Sequence, residues 1–142
     1  MMKRPTWTIT WNNEMNIGIL EIDEDHKPII FLINELNRSI TEGKSPIEIK
    51  RRLQLIVDDA VRHFGQEEKL FQERQYPGSA GHARVHANIL NALQGIKAGF
   101  IPYGLDSSWV DVGMKVKRIL MDHFQNEDVK YADFSRKLSN VQ

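Results

Sequence analysis

An all-α fold, an antiparallel up-down-up-down four-helix bundle with an extended N-terminal arm, is what this 142-residue sequence predicts. Three observations carry that expectation. Four long segments each hold an apolar stripe whose members step by three and four residues, the spacing of one buried helix face. Glycine and proline breaks separate the segments, leaving connections short enough to fold each helix back on its predecessor. Ahead of them, Trp7, Ile9 and Trp11 alternate with polar residues, the period of an extended chain and not of a helix.

The arm is expected over about 1–22 and the bundle over about 23–138, together a single domain spanning 1–142. The first helix, about 23–41, takes Asp23 as its expected N-cap and runs Ile22, His26, Ile29, Ile33, Leu36, Ile40 along its stripe. Pro28 cannot donate to Glu24, and it pushes Lys27 away from helical dihedrals. The helix is therefore expected to start near His26 and not to run unbroken through Pro28. After Gly43, Ser45 caps the second helix, about 46–75, with Pro46 in its first turn and Glu48 three residues after the cap. Its stripe is Ile49, Leu53, Ile56, Ala60, His63, Glu67 and Leu70. Pro77-Gly78 breaks the chain before the third, about 79–98, with His82, His86, Ile89, Leu93, Ile96 and then Phe100 in register. The Gly99–Asp106 stretch reads as a loop, and Ser107 as the expected cap of a fourth helix over about 108–137. That helix starts its stripe at Trp109, Val112, Val116, Ile119 and His123.

Composition removes several function classes. Lys and Arg total 19 against 19 Asp and Glu, so there is no basic surface to hold nucleic acid. With no cysteine there is no disulfide framework, thiolate metal site or Cys nucleophile. No apolar run reaches the length of a membrane span, and Lys3 and Arg4 are followed by no apolar stretch, so the expected location is the cytoplasm.

The histidines carry the chemistry. A lone His on an apolar stripe is more often a hydrogen-bonded core residue than a ligand, but all five here fall in the inward register. His63 and Glu67 stand four apart, as do His82 and His86, so each pair projects from one helix face. Glu67 occupies a position where the stripe calls for an apolar residue, which is costly unless the carboxylate is paired or bound to metal. His123 and Asp128 are five apart, about 140° around an ideal helix. The stripe resumes one residue late at Phe124, Asp128, Tyr131, Phe134 and Leu138, which predicts a π-bulge or a tilt between 123 and 128. Five imidazoles and two carboxylates suit iron, zinc or manganese. Seven ligands exceed one metal's needs but suit two metals bridged by both carboxylates, with one coordination position left open for a small ligand.

These residues resemble the hemerythrin family, most of all its single-domain bacterial members. The likeness runs through Gly18-Ile19, Ile22-Asp23 and His26, then His63-Phe64, Glu67-Glu68, Tyr76-Pro77, His82, His86, His123, Asp128 and Tyr131. It implies two irons with an oxo or hydroxo bridge, one held by His82, His86 and His123 and the other by His26 and His63. Glu67 and Asp128 would bridge them, and the two-His iron would keep the open position. The implied activity is reversible dioxygen binding for transport, storage or supply, by a non-enzymatic and monomeric protein, with an oxygen-consuming enzyme as a conceivable acceptor. Ile29, Phe64, Ile119, Leu120 and Phe124 are the candidate walls of the oxygen pocket. Ile119 and Phe124 depart from the family pattern, where Trp and Ile are common. The competing reading is a di-iron oxidoreductase reducing peroxide or nitric oxide; a metallohydrolase or an iron store would call for more carboxylates. Glu68, Asp122 and Glu127 neighbour ligands but fall off the stripe, so they are expected to be solvated, with a partner role toward ligand imidazoles as the alternative, and Tyr131 is expected to pack and not to reach the site.

Overall fold

The computed structural model describes residues 8–11, 15–98 and 107–139, with backbone only at 107–110 and 139. Trp7, Phe100, the Gly99–Asp106 loop and the side chain of Trp109 lie outside the described residues. The helices are α1 (Leu20–Thr41), α2 (Pro46–Glu73), α3 (Ser79–Ala98), α4 (Ser107–Asp122) and α5 (Asp128–Ser139). A π-helical turn, His123–Glu127, joins α4 to α5, so these last elements form one rod. α1 packs against α2 and α4, and α3 against the same two, giving the expected four-rod bundle with no strand among the described residues.

Two of the expected helix starts are corrected. α1 begins at Leu20, and Asp23 sits inside its first turn instead of capping it. The Asp23 carboxylate reaches backwards, accepting from Ile17 N–H at 2.8 Å and Gly18 N–H at 3.2 Å. Gly18, at φ +92°, supplies the left-handed backbone that this turn needs. α1 also runs through Pro28, against the expected start near His26. Pro28 and Glu24 both lie on the exposed side of the helix, where water is at hand for the carbonyl that loses its helical donor. In the same way α4 starts at Ser107 itself, and not after it.

Other boundaries follow local chemistry as expected. Ser45 accepts from Glu48 N–H at 3.2 Å, and Pro46 opens α2. Both α1 and α2 end in Schellman motifs. Lys44 N–H bonds Ser39 O and Gly43 N–H bonds Ile40 O; Tyr76 N–H bonds Phe71 O and Gln75 N–H bonds Gln72 O. Gly43 takes the left-handed position without strain at φ 71°, whereas Gln75 occupies it at φ 55°. There the apolar contact that goes with the motif, Tyr76 against Phe71 at 5.2 Å between ring centroids, offsets the cost.

Of the arm, residues 8–11 are non-helical, and Ile9 is pinned by paired hydrogen bonds. Its N–H donates to Asn34 Oδ1 at 2.8 Å, and Asn34 Nδ2 donates to its carbonyl at 2.9 Å. Ile9 is buried, and Trp11 packs half-buried against the same core.

The apolar interior divides in two. The larger cluster includes Ile29, Ile33, Leu36, Ile56, Phe64, Leu120 and Phe124. The smaller gathers Ile17, Ile22, Phe71, Tyr131 and Ala132. Along α1 the divide falls between Ile22 and Ile29, along α2 between Phe64 and Phe71, and along the fourth rod between Phe124 and Tyr131. His26, Glu67 and Asp128 occupy the gap.

Candidate metal centre

Each polar residue in that gap is set there by helical spacing. α1 contributes His26, α2 His63 and Glu67, α3 His82 and His86, and the fourth rod His123 and Asp128. All seven are buried. The spacing puzzle at 123–128 resolves as a π-turn: Asp128 N–H bonds His123 O, an i to i−5 closure that brings residues five apart onto one face.

The donor atoms form two overlapping groups, each with its atoms within 4.8 Å of one another. One contains Glu67, His82, His86, His123 and Asp128; the other contains His26, His63, Glu67 and Asp128. The carboxylates belong to both because each divides its oxygens. Glu67 Oε1 lies 2.9 Å from His82 Nε2 and 3.2 Å from His86 Nε2, while its Oε2 lies 2.7 Å from His63 Nε2. Asp128 Oδ1 lies 2.9 Å from His82 Nε2 and 3.1 Å from His123 Nε2, while its Oδ2 lies 2.9 Å from His26 Nε2.

These distances are short, yet the bonding is incomplete. His63 Nε2, Glu67 Oε2 and Asp128 Oδ1 have no hydrogen-bond partner of acceptable geometry, although all are buried. His86 and His123 meet Nε2 to Nε2 at 3.0 Å, where two lone pairs repel unless a proton or cation lies between them. Buried polar atoms are almost always satisfied, so orphans converging from α2 and the fourth rod, beside the opposed nitrogens of His86 and His123, fit cation binding. The donors fit borderline metals such as iron: imidazole-rich, two carboxylates and no thiolate.

Imidazoles and carboxylates within the cluster shift one another's charge. Burial pulls His63 and His82 down, but the carboxylates facing their ring nitrogens outweigh it, Asp25 and Glu67 at His63 and Asp128 and Glu67 at His82. The protein's own groups thus push His63 up to about 10 and His82 to about 9. Burial raises Glu67 and Asp128, and for Asp128 the charge of Glu67 adds to it. The surrounding imidazoles reverse this and hold both below the ordinary carboxylate range.

Two outer ring nitrogens, those of His63 and His86, are held as well, whereas His123 Nδ1 is buried without a hydrogen-bond partner. Glu68 Oε2 lies 3.3 Å from His86 Nδ1, a contact that corrects the solvated position expected for Glu68. Asp25 Oδ2 lies 2.5 Å from His63 Nδ1, and its other oxygen accepts from Arg62 Nη1 at 2.8 Å. Burial raises Asp25, but these two hydrogen bonds and the accompanying charges hold it low. Asp25 escaped the sequence reading. Its signal was adjacency to His26, the same adjacency that singled out Glu68, but its partner lies on another helix. Asp122 and Glu127 instead share a cavity wall with His123. Tyr131 packs on Phe71 at 4.4 Å and Tyr76 at 5.3 Å.

Of the expected wall residues, Phe124 stacks on His26 at 3.8 Å and Phe64 on His86 at 3.9 Å. Ile29 and Leu120 are fully buried in the larger cluster, and Ile119 is half-buried at its edge beside His123. No helix among the described residues is long and apolar enough to cross a membrane.

Residues 18–134 match the family described as the Hemerythrin HHE cation binding domain. A Bacteriohemerythrin of Pseudomonas aeruginosa (strain LESB58) is 30% identical over 132 residues, covering 90% of this chain and 82% of its own length. The Bacteriohemerythrin of Stenotrophomonas maltophilia (strain R551-3) is 31% identical over 125 residues, 88% of this chain and 80% of its own length. The Myohemerythrin of Sipunculus nudus is 28% identical over 114 residues, 77% of this chain and 88% of its own length. Fold, buried cluster and sequence similarity agree, and the chain belongs to the hemerythrin family.

Proposed function

We propose that the chain binds dioxygen reversibly at a non-haem di-iron centre. His82, His86 and His123 would hold one iron and His26 and His63 the other, with Glu67 and Asp128 shared between them. The observation that carries this reading is the division of each carboxylate, one oxygen toward the three-histidine group and one toward the two-histidine group. When bound, the iron pair supplies the electrons for dioxygen binding and takes them back on release.

The chain's own residues supply the rest. Asp25 and Glu68 engage the outer nitrogens of His63 and His86, directing their Nε2 lone pairs inward. Phe124 against His26 and Phe64 against His86 fix ring orientation and exclude water. With Ile29, Ile119 and Leu120 they form apolar walls that keep protons from an oxygen ligand. Dioxygen is the ligand, transport, storage or supply the role, and an oxygen-consuming enzyme the acceptor. The protein acts as a carrier and not as an enzyme, and as a monomer.

The test is to purify the protein, measure iron per chain, and cycle it between reduced anaerobic and air-exposed states while recording the visible spectrum. Two irons per chain and a colour that appears with air and fades without it support carriage. Irreversible oxidation with peroxide consumption supports a di-iron oxidoreductase instead, and a colourless zinc protein refutes both.

A further inference from the structure

A surface groove of about 300 Å³ on the α1–α2 seam reaches the centre at His63 and Glu67. Its mouth carries Glu21 and Glu73, both exposed, and its wall carries Asp25. Its floor includes His63 and Glu67, whose Nε2 and Oε2 are the unpartnered buried donors of the two-histidine group. We propose that this groove is the loading route by which a divalent cation enters the centre, rather than the groove beside His123. This rests on the metal-centre reading above.

The chemistry is graded along the path. A hydrated cation is drawn first by the exposed carboxylates Glu21 and Glu73, which pair with no basic group among the described residues. Lys69 is the one lysine or arginine lining the groove. Asp25 follows, its charge shared with Arg62 and His63. At the floor the cation exchanges water for Glu67 Oε2 and His63 Nε2, and this exchange completes its dehydration. The second groove, about 230 Å³, also has acidic residues, Asp122 and Glu127, but three of its seven lining residues, Val85, Ile89 and Ile119, are apolar, against Ile22 and Leu70 among the nine of the first. The ligand it borders, His123, turns its Nε2 into the cluster toward His86.

The test is stopped-flow uptake of Co²⁺ by the full-length metal-free protein, read by cobalt absorption. Glu21→Lys with Glu73→Lys is expected to slow uptake about tenfold at low salt, in line with the usual range of electrostatic steering. Stoichiometry and the rate of cobalt loss to a chelator stay unchanged. Asp122→Asn with Glu127→Gln, at the other groove, leaves uptake within about twofold. Uptake by the unaltered protein is itself expected to slow as salt rises, a readout that needs no variant to fold. Two cobalt ions bound with an uptake rate indifferent to Glu21 and Glu73, or to salt, overturn the route alone. No cobalt bound at all overturns the centre and the route together.

Discussion

Asp25→Asn tests whether the outer hydrogen bonds set metal affinity. In the structure the Asp25 carboxylate accepts from His63 Nδ1 at 2.5 Å and from Arg62 Nη1 at 2.8 Å. Asparagine keeps the shape and one acceptor oxygen but loses the charge. A hydrogen bond to an ionised group contributes about 1.5–3 kcal/mol, and a neutral one about 0.5–1.5. The difference, about 1–1.5 kcal/mol, corresponds to roughly a tenfold loss of affinity. It should fall on the His63 half of the centre, because His86 is held by Glu68 instead. The Arg62 ion pair adds little, since Arg62 is 40% exposed at its side chain and water screens it. Stepwise Co²⁺ titration against a competing chelator separates the two sites. The variant should weaken one binding step about tenfold and move the other by less than about threefold. Equal weakening of both steps, or of neither, would refute the assignment of Asp25 to His63.

Three further outcomes are expected. Without metal, stability should depend on pH at both ends: His63 and His82 are raised to about 10 and about 9, so their contribution is full below about 6.5 and fades as pH rises through 9–10. Glu67 and Asp128 are lowered, so theirs is lost as pH falls through and below the ordinary carboxylate range, and denaturant titrations of the metal-free protein that show a flat profile from pH 4 to 10 would contradict this. Pro28→Ala restores a donor for the Glu24 carbonyl at an exposed position and should raise stability by about 1–3 kcal/mol in urea, with metal stoichiometry unchanged. Phe71→Ala, removing a fully buried ring set against Tyr131 and His82 at 4.4 and 4.7 Å, should cost about 3–5 kcal/mol by the same assay.

Much of this fold was legible because one rule governs it. A buried face repeats every three to four residues, and all five histidines and Glu67 obey that repeat. The His123–Asp128 gap broke the rule, and the break itself pointed to the π-turn. Helix starts were read less well, since they depend on where a side chain reaches and not on periodicity. Asp23 looks like a cap, yet it serves the amides of the turn before it. Pro28 looks like a barrier, yet its consequences depend on which side of the helix faces water. Asp25 could not be located from spacing, because its partner His63 is 38 positions away.

The π-turn has a consequence for how the chain tolerates change. One extra residue there sets the facing of everything after it, so Asp128 and Tyr131 share a single adjustment. Shortening the turn by a residue would swing both by about 100°. The centre would lose a ligand and the smaller apolar cluster its largest ring in one stroke. Point substitutions can reshape either neighbourhood separately, but length at this place is common property, and drift in it would be punished twice.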